Sequence, residues 1–219
     1  FNQARELLAQ HGINPICHTA CSAAIFLFPE THFDMVRLGI SLYGLWSSES
    51  VRQSVSLRAK RDNLRSIDGD PSTTLGMTTL QCVLTWKTII AQIKSFPEGA
   101  PIGYGLTERL KRASRVAVLP VGYFDGYDRK LSKIAEVLVG SQRCKILGRV
   151  CMNMIMVDVT EVANVKIEDE VVLLGKQACL PAGRGVEQIT AEEIAEKIGT
   201  INYEVVTRIN PLIKRLVKS

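Results

Sequence analysis

The chain has 219 residues, of which 46% are hydrophobic and 22% charged. That is enough apolar content to bury a core in one or two domains, and too much for a disordered chain. The net charge of +5, from 27 basic and 22 acidic residues, comes with no aromatic-interleaved basic stripe and no nucleic-acid motif. No apolar run is long enough to span a membrane and the start has no signal-peptide pattern, so a cytoplasmic protein with neither membrane nor nucleic-acid partner is expected. The first residue is Phe1 rather than Met, which suggests a piece of a larger protein.

Residues 3–11 read as an amphipathic helix stopped by Gly12. A short strand is expected at 16–19, a helical turn opening at Ser22, a second strand at 35–37, and another helical turn over 39–43. Strand, loop and helix in alternation is the pattern of an α/β barrel. A strand end running into a helix N-terminus also leaves backbone N–H groups free for a phosphate. Residues 47–79 change character. Arg52, Arg58, Lys60, Arg61 and Arg65 crowd together ahead of an Asp-Gly-Asp-Pro run, which reads as a loop or linker.

From Leu80 the chain becomes strand-rich. Strands are expected at 81–93, 114–121, 135–139, 144–147, 154–159 and 170–174, with turns between them, in the spacing of a β-barrel or sandwich. Residues 178–186 read as a loop insertion. One helix interrupts the strands: Thr190 is its N-cap, Glu193 completes a capping box, Gly199 ends it, and Ile194 and Ile198 share a face. A last strand is expected at 204–209, then a basic tail. The six cysteines show no CxxC pairing, so neither a disulfide framework nor a metal site is expected. Cys17 and Cys21 flank His18 like a metal knuckle but lack a second ligand pair, and the cysteines read better as small buried hydrophobes.

Chemistry concentrates in four short runs. Tyr104 stands between glycines in 102–105 (Ile-Gly-Tyr-Gly), where an unhindered backbone lets a phenol approach a ligand. Tyr123 and Arg129 lie in 121–129 (Val-Gly-Tyr-Phe-Asp-Gly-Tyr-Asp-Arg), whose plain reading is a hairpin turning at Asp125-Gly126. Arg149 and Met152 lie in 148–153 (Gly-Arg-Val-Cys-Met-Asn). Arg37 is a charge among apolar neighbours in 33–44 (Phe-Asp-Met-Val-Arg-Leu-Gly-Ile-Ser-Leu-Tyr-Gly), which calls for a partner or a function. A phenol can exchange a proton, and a guanidinium can fix a carboxylate or a phosphate. An unperturbed phenol, with a pKa of about 10, is a poor base at neutral pH, and nearby cations such as Arg149 and Arg129 are the means of lowering it.

Together these runs resemble the alanine racemases, enzymes that use pyridoxal phosphate (PLP). The resemblance covers residues 1–49 and 80–219, with 56–77 and 178–186 unmatched as insertions. It implies an α/β plus β architecture. Residues 1–49 would be the last part of a (β/α)8 TIM-type barrel, 50–79 a linker with an insertion, and 80–219 the β-rich C-terminal domain. It implies interconversion of L- and D-alanine, the supply of D-alanine for the cell wall, and a head-to-tail homodimer in which the β domain of one subunit completes the site of the other.

By resemblance Tyr104 is the acid/base for one face of the substrate. Ser22, with the N–H groups of Gly39 and Ile40, holds the PLP phosphate. Arg37 meets the PLP ring nitrogen, and His18 buttresses Arg37. Tyr123, Arg129 and Arg149 line the substrate entrance, and Met152 lies where the substrate carboxylate binds. Three positions depart from the family pattern: Cys21 for a common Asn, Asn153 for an acid, and Pro211 where a phosphate-contacting Tyr is usual. The lysine that carries the cofactor, and an arginine for the substrate carboxylate, have no match in the chain. The chain alone is therefore expected to be inactive, with a second copy or a barrel-containing chain as its partner. Rival readings are a racemase of serine or lysine, a PLP-dependent decarboxylase of similar layout, and a non-catalytic remnant that acts only by pairing.

Overall fold

The computed structural model describes residues 1–65, 80–178 and 186–217, and the chain divides into two units, Phe1–Val83 and Leu84–Ser219. In the first unit, helix α1 (Asn2–Gln10) is exposed along its length, and Gly12 follows it with φ +73°. The strands expected at 16–19 and 35–37 are corrected to two extended segments with sparse pairing. The Asp34 N–H bonds to the Cys17 carbonyl at 3.1 Å and the Arg37 N–H to the Ala20 carbonyl at 2.9 Å, leaving one isolated parallel bridge, Cys21 to Arg37. Two short parallel segments without further neighbours make too few bonds for a ladder. Helix α2 (Ser22–Leu27) opens directly after this bridge.

A 3-10 turn spans Ile40–Tyr43 and ends at Gly44 with φ +72°. A Cβ at Gly44 would stand 1.7 Å from the Gln81 carbonyl oxygen, so only glycine lets the returning chain pass. The loop expected at 47–79 is corrected over Glu49–Arg65, which forms helix α3. That stretch has no Gly or Pro and carries four Arg and two Leu, good helix formers, and the Val51 N–H is capped by the Ser48 hydroxyl at 3.3 Å. Residues 66–79, with the rest of the proposed linker, lie outside the described residues, as does 179–185 of the second insertion.

The second unit is built on ten strands. Eight of them, β1 (Trp86–Ile89), β2 (Gln92–Phe96), β5 (Ser114–Leu119), β6 (Glu136–Val139), β7 (Gln142–Leu147), β8 (Ile155–Asp158), β9 (Glu170–Ala178) and β10 (Val186–Ile189), share one sheet. Its order is β1-β9-β6-β7-β8-β5-β2, with β10 also on β9. A separate small hairpin pairs β3 (Pro101–Ile102) with β4 (Glu108–Arg109). The single strand expected at 81–93 is two strands, and they stand at opposite ends of the sheet order. At the step between them, the Ile90 N–H bonds to Asp169 and the Ala91 N–H to Val118, so one continuous segment joins the two ends of the sheet order. Along β5, Ser114, Val116, Ala117 and Leu119 are buried, so its middle is covered on both faces. The middle of β9, Val171 to Leu174, is buried on both faces, and helix α4 (Ala191–Ile198) follows β10.

Helix α4 keeps the expected N-cap: the Thr190 hydroxyl accepts the Glu193 N–H at 3.0 Å. The other half of the capping box is spent elsewhere. The Glu193 carboxylate faces Arg143 and Lys197, each at 2.9 Å, while Arg143 also meets Glu136 and Glu187. The strand expected at 204–209 is corrected to helix α5 (Asn202–Thr207). Val205, Val206 and Ile209 are buried at i, i+1 and i+4, so packing decides against their strand propensity.

The Arg143 side chain holds the Glu193 carboxyl below the usual carboxylate range, with Lys197 assisting. A depressed folded pKa contributes stability above the unfolded value, about 4.3, and loses it as pH falls through the folded value. Glu193→Gln is therefore expected to lower stability at pH 7 by about 1 kcal/mol once solvent screening is counted. Thermal melts of mutant and parent should begin to draw together as pH falls below about 4.3 and meet only once it is below the depressed folded value; a gap that never narrows under acid would assign the loss to packing.

Candidate active site

In the first unit the polar centre is Ser22. It is the first residue of α2 and is buried. Its hydroxyl oxygen accepts the Gly39 N–H at 2.9 Å and the Ser41 N–H at 3.5 Å. With both oxygen lone pairs engaged, the hydroxyl hydrogen is left to donate. The Ile40 N–H opens the 3-10 turn and has no acceptor within it. The Ser22 hydroxyl hydrogen and the Ile40 N–H are thus two uncommitted donors side by side, held together by the Gly39 N–H on the Ser22 oxygen.

Arg37 stands two residues before Gly39, with its guanidinium exposed and donating to the Thr19 carbonyl at 3.2 Å. His18 is exposed, and among the described residues no hydrogen bond joins it to Arg37. Of the cysteines, Cys17 and Cys144 are buried, and burial pushes the Cys144 thiol up to about 12. Cys21 corrects the buried-hydrophobe reading. It is exposed, and the N–H groups of Ala24 and Ala23, together with the Arg37 cation, hold its thiol below the ordinary range.

In the second unit three loops tie together. The first joins β3 to β4 and carries Tyr104, whose side chain is exposed. It turns through left-handed backbone at Gly103, Gly105 and Leu106. The second, 148–153, starts at Gly148 with φ +68°. A Cβ on Gly103 would stand 2.9 Å from the Gly148 Cα, and one on Gly148 would stand 2.8 Å from the Gly103 Cα. Only two glycines can touch this way, and the contact brings together the backbones from which Tyr104 and Arg149, the residues that follow them, extend. The Arg149 guanidinium lies over Gly105, 3.5 Å from where a Cβ would be.

The third loop, 121–131, docks on the other end of 148–153. The Tyr123 and Phe124 N–H groups bond to the Cys151 and Met152 carbonyls, each at 3.0 Å. The hairpin turn expected at Asp125-Gly126 is corrected to a 3-10 turn, Tyr123–Asp125, capped by left-handed Gly126. The Asp125 carboxylate accepts the Gly122 N–H at 2.9 Å. Arg129 begins a further 3-10 turn and is exposed. Its carbonyl accepts the Ser132 hydroxyl at 2.5 Å, and the same hydroxyl accepts the Val150 N–H at 3.0 Å. Tyr104, Arg149, Met152, Tyr123 and Arg129 therefore all stand on loops joined through 148–153. Tyr127, from the same motif, does not. It is fully buried against Trp86, and burial pushes its phenol above the ordinary range.

Several positioning residues escape a reading of motifs. Glu108 accepts the Gly148 N–H at 2.5 Å, Lys133 holds the Thr107 carbonyl at 2.9 Å, and Ser132 bridges two loops. Each acts across 18 to 40 residues of sequence, and no local signal marks them. Among the described residues no group of three or more His, Cys, Asp or Glu could hold a metal, and no helix is long and apolar enough to cross a membrane.

The family model described as alanine racemase, C-terminal domain, matches residues 83–217, and the alanine racemase N-terminal domain matches 1–47. An alanine racemase of Leptospira interrogans is 40% identical over 218 residues, covering 99% of this chain and 50% of that protein. One from Halothermothrix orenii is 44% identical over 205 residues, covering 94% and 46%. The crystal structure of the Bacillus anthracis alanine racemase with bound L-Ala-P superposes with a TM-score of 0.76 at 33% identity, over 96% of this chain and 47% of that one. That from Bartonella henselae with covalently bound pyridoxal phosphate superposes at 0.69 and 25% identity, over 98% and 50%. The chain thus spans about half the length of the relatives it matches. With a C-terminal domain model running through all three loops and relatives matched along nearly its whole length, this chain belongs to the alanine racemase family.

Proposed function

We propose that the chain supplies part of the machinery of a PLP-dependent alanine racemase acting in the cytoplasm, with residues 1–49 as the last βα units of a (β/α)8 barrel and 80–219 as the β domain. The observation that carries the reading is the Gly103–Gly148 contact, which joins the loop that carries Tyr104 to the loop that carries Arg149. Residues 1–65 fit a phosphate on two uncommitted donors, the hydrogen of the buried Ser22 hydroxyl and the Ile40 N–H, with the Gly39 N–H, now given to the Ser22 oxygen, able to turn to the phosphate only by leaving it. A phosphate offers only acceptors, and such a set offers donors at helix starts, where anions are favoured. When bound, PLP would spread into its ring the charge left on the substrate when the α-proton departs.

In this reading Ser22, Gly39 and Ile40 would hold the phosphate. Arg37 would present a fixed cation to the ring nitrogen and so favour its unprotonated form, and His18 would back Arg37 once its ring turns from its present place, where among the described residues no hydrogen bond joins the two. Tyr104 takes and returns the proton on one face through its phenol oxygen. Racemisation needs a second acid/base on the opposite face, and a lysine from outside these 219 residues supplies it. Tyr123, Arg129 and Arg149 form the entrance, and Met152 borders the substrate carboxylate. Tyr104 and its neighbours serve the cofactor of a paired subunit, while Ser22 and Arg37 serve the chain's own. With Asn153 in place of an acid, the entrance carries one negative charge fewer.

The test is racemisation of L-alanine with added PLP, by the 219-residue chain alone and then mixed with a separately expressed N-terminal barrel segment of the family. Activity in the mixture alone is expected. Activity of the chain alone would overturn the division of parts, and none in either would leave the chain a non-catalytic relative. L-serine and L-lysine as alternative substrates decide the specificity.

A further inference from the structure

We propose that Glu108 is a positioning residue for the racemisation, its carboxylate holding the Gly148 N–H and thereby setting Tyr104 and Arg149 relative to each other. The proposal rests on the reading of Tyr104 as the proton-transferring group. Glu108 pairs with Ile102 across the β3–β4 hairpin, so it closes the loop that Ile102 opens and that carries Tyr104. The loop is wound tightly, with Gly103, Gly105 and the non-glycine Leu106 all at positive φ. Such a loop has few ways to brace itself, and it draws on two outside ties. Lys133 holds the Thr107 carbonyl, and the Glu108 carboxylate reaches the Gly148 N–H at 2.5 Å.

The second tie matters more for Tyr104. Among the described residues it is the one hydrogen bond between the 101–109 hairpin and the 148–153 loop. Gly148 is buried, so its N–H would have no ready substitute from solvent, and an unpaired buried N–H is costly. The acceptor is a carboxylate, which makes the bond charge-assisted and directional. Van der Waals contact between Gly103 and Gly148 prevents closer approach but does not prevent separation. The carboxylate supplies the restoring force. Without it the two glycines can slide apart, and the phenol and the guanidinium move with them. A displacement of about 1 Å at a reacting group costs on the order of 100-fold in rate.

The experiment uses the racemase holoenzyme containing this chain, with Glu108→Ala, Glu108→Gln and Tyr104→Phe. Glu108→Ala is expected to lower kcat by roughly 10- to 100-fold with KM little changed. Glu108→Gln should recover most of the loss, because the amide oxygen still accepts the N–H. The decisive readout is the α-deuterium isotope effect in each direction. If the Tyr104 step is slowed, the effect rises for the enantiomer whose proton Tyr104 takes and falls for the other. A merely structural defect lowers the active fraction and leaves both effects alone.

A second readout needs no activity. In the 219-residue chain labelled with 15N-glycine, the Gly148 amide should resonate far downfield, shift strongly in Glu108→Ala, and shift little in Glu108→Gln. Normal kcat or unchanged isotope effects in Glu108→Ala, while Tyr104→Phe is slow, would overturn the positioning role alone. A Tyr104→Phe enzyme as fast as the parent would overturn the reading beneath it. Should Glu108→Ala fail to fold, the isotope effects of Glu108→Asp, which keeps the charge but falls short by one methylene, decide the same question.

Discussion

A racemase containing this chain with Tyr104→Phe is expected to lose about two to four orders of magnitude in kcat, the usual contribution of a positioned acid/base. The change removes one hydroxyl and keeps the ring. The side chain is 69% exposed and makes no core contact, so folding and cofactor binding should be untouched. That separates the chemical role from a packing one. The loss should be unequal in its isotope signature: the α-deuterium effect should grow toward its full value for one enantiomer and shrink for the other, because only one face is served by Tyr104. Equal isotope effects, or turnover within a few-fold of the parent, would remove Tyr104 from the reaction.

A large loss of stability is expected from Gly126→Ala. Gly126 has φ +96°, and a Cβ there would meet the Arg208 carbonyl oxygen at 2.2 Å and the Ile209 Cα at 2.9 Å. Left-handed backbone costs a residue with a Cβ about 1–2 kcal/mol, and overpacking against rigid backbone about 1–3 kcal/mol more. The clash pushes away 208–210, whose Asn210 N–H and side-chain amide hold the Asp125 and Phe124 carbonyls at 3.0 and 3.1 Å. Together about 3 kcal/mol, or a Tm lower by about 10 °C, is expected in a thermal melt of the 219-residue chain. Gly199→Ala is the control. Its φ is +72° with nothing within 4 Å of an added Cβ, so it carries the backbone strain alone. Equal losses in the two variants would show that the contact with 208–210 yields without cost.

Much of this architecture is legible without coordinates. Helix α4 reads directly from Thr190, Ile194, Ile198 and Gly199 because caps and a 3.6-residue period are local signals. Strands β5, β6 and β8 read from short apolar runs bounded by turn residues, again a local cause. The errors share a cause as well. Helix α3 hides in a polar, basic stretch, since a helix whose stability is mostly propensity shows no apolar face to read. Helix α5 hides behind two valines, whose preference for strands loses to burial beside α4. The segments at 16–19 and 35–37 have strand-like composition, but a ladder needs neighbours, and the described residues provide a single bridge.

The site divides in the same way. The sequence by itself determined which chemical groups are present and on which loops they lie: Tyr104 between glycines, Tyr123 and Arg129 in one run, Arg149 and Met152 in another, Ser22 and Arg37 near the start. Residue type and short-range spacing set those properties, and both are written along the chain. Only the tertiary structure decided which of these groups are neighbours. Gly103 touches Gly148, Glu108 reaches a buried N–H 40 residues away, Tyr123 docks on Cys151, and Tyr127 turns inward against Trp86 while Tyr123 two turns of the same motif away faces out. Those contacts depend on left-handed glycines and on a sheet whose two ends are joined by the segment between β1 and β2, and both bring together backbone that the linear order keeps apart.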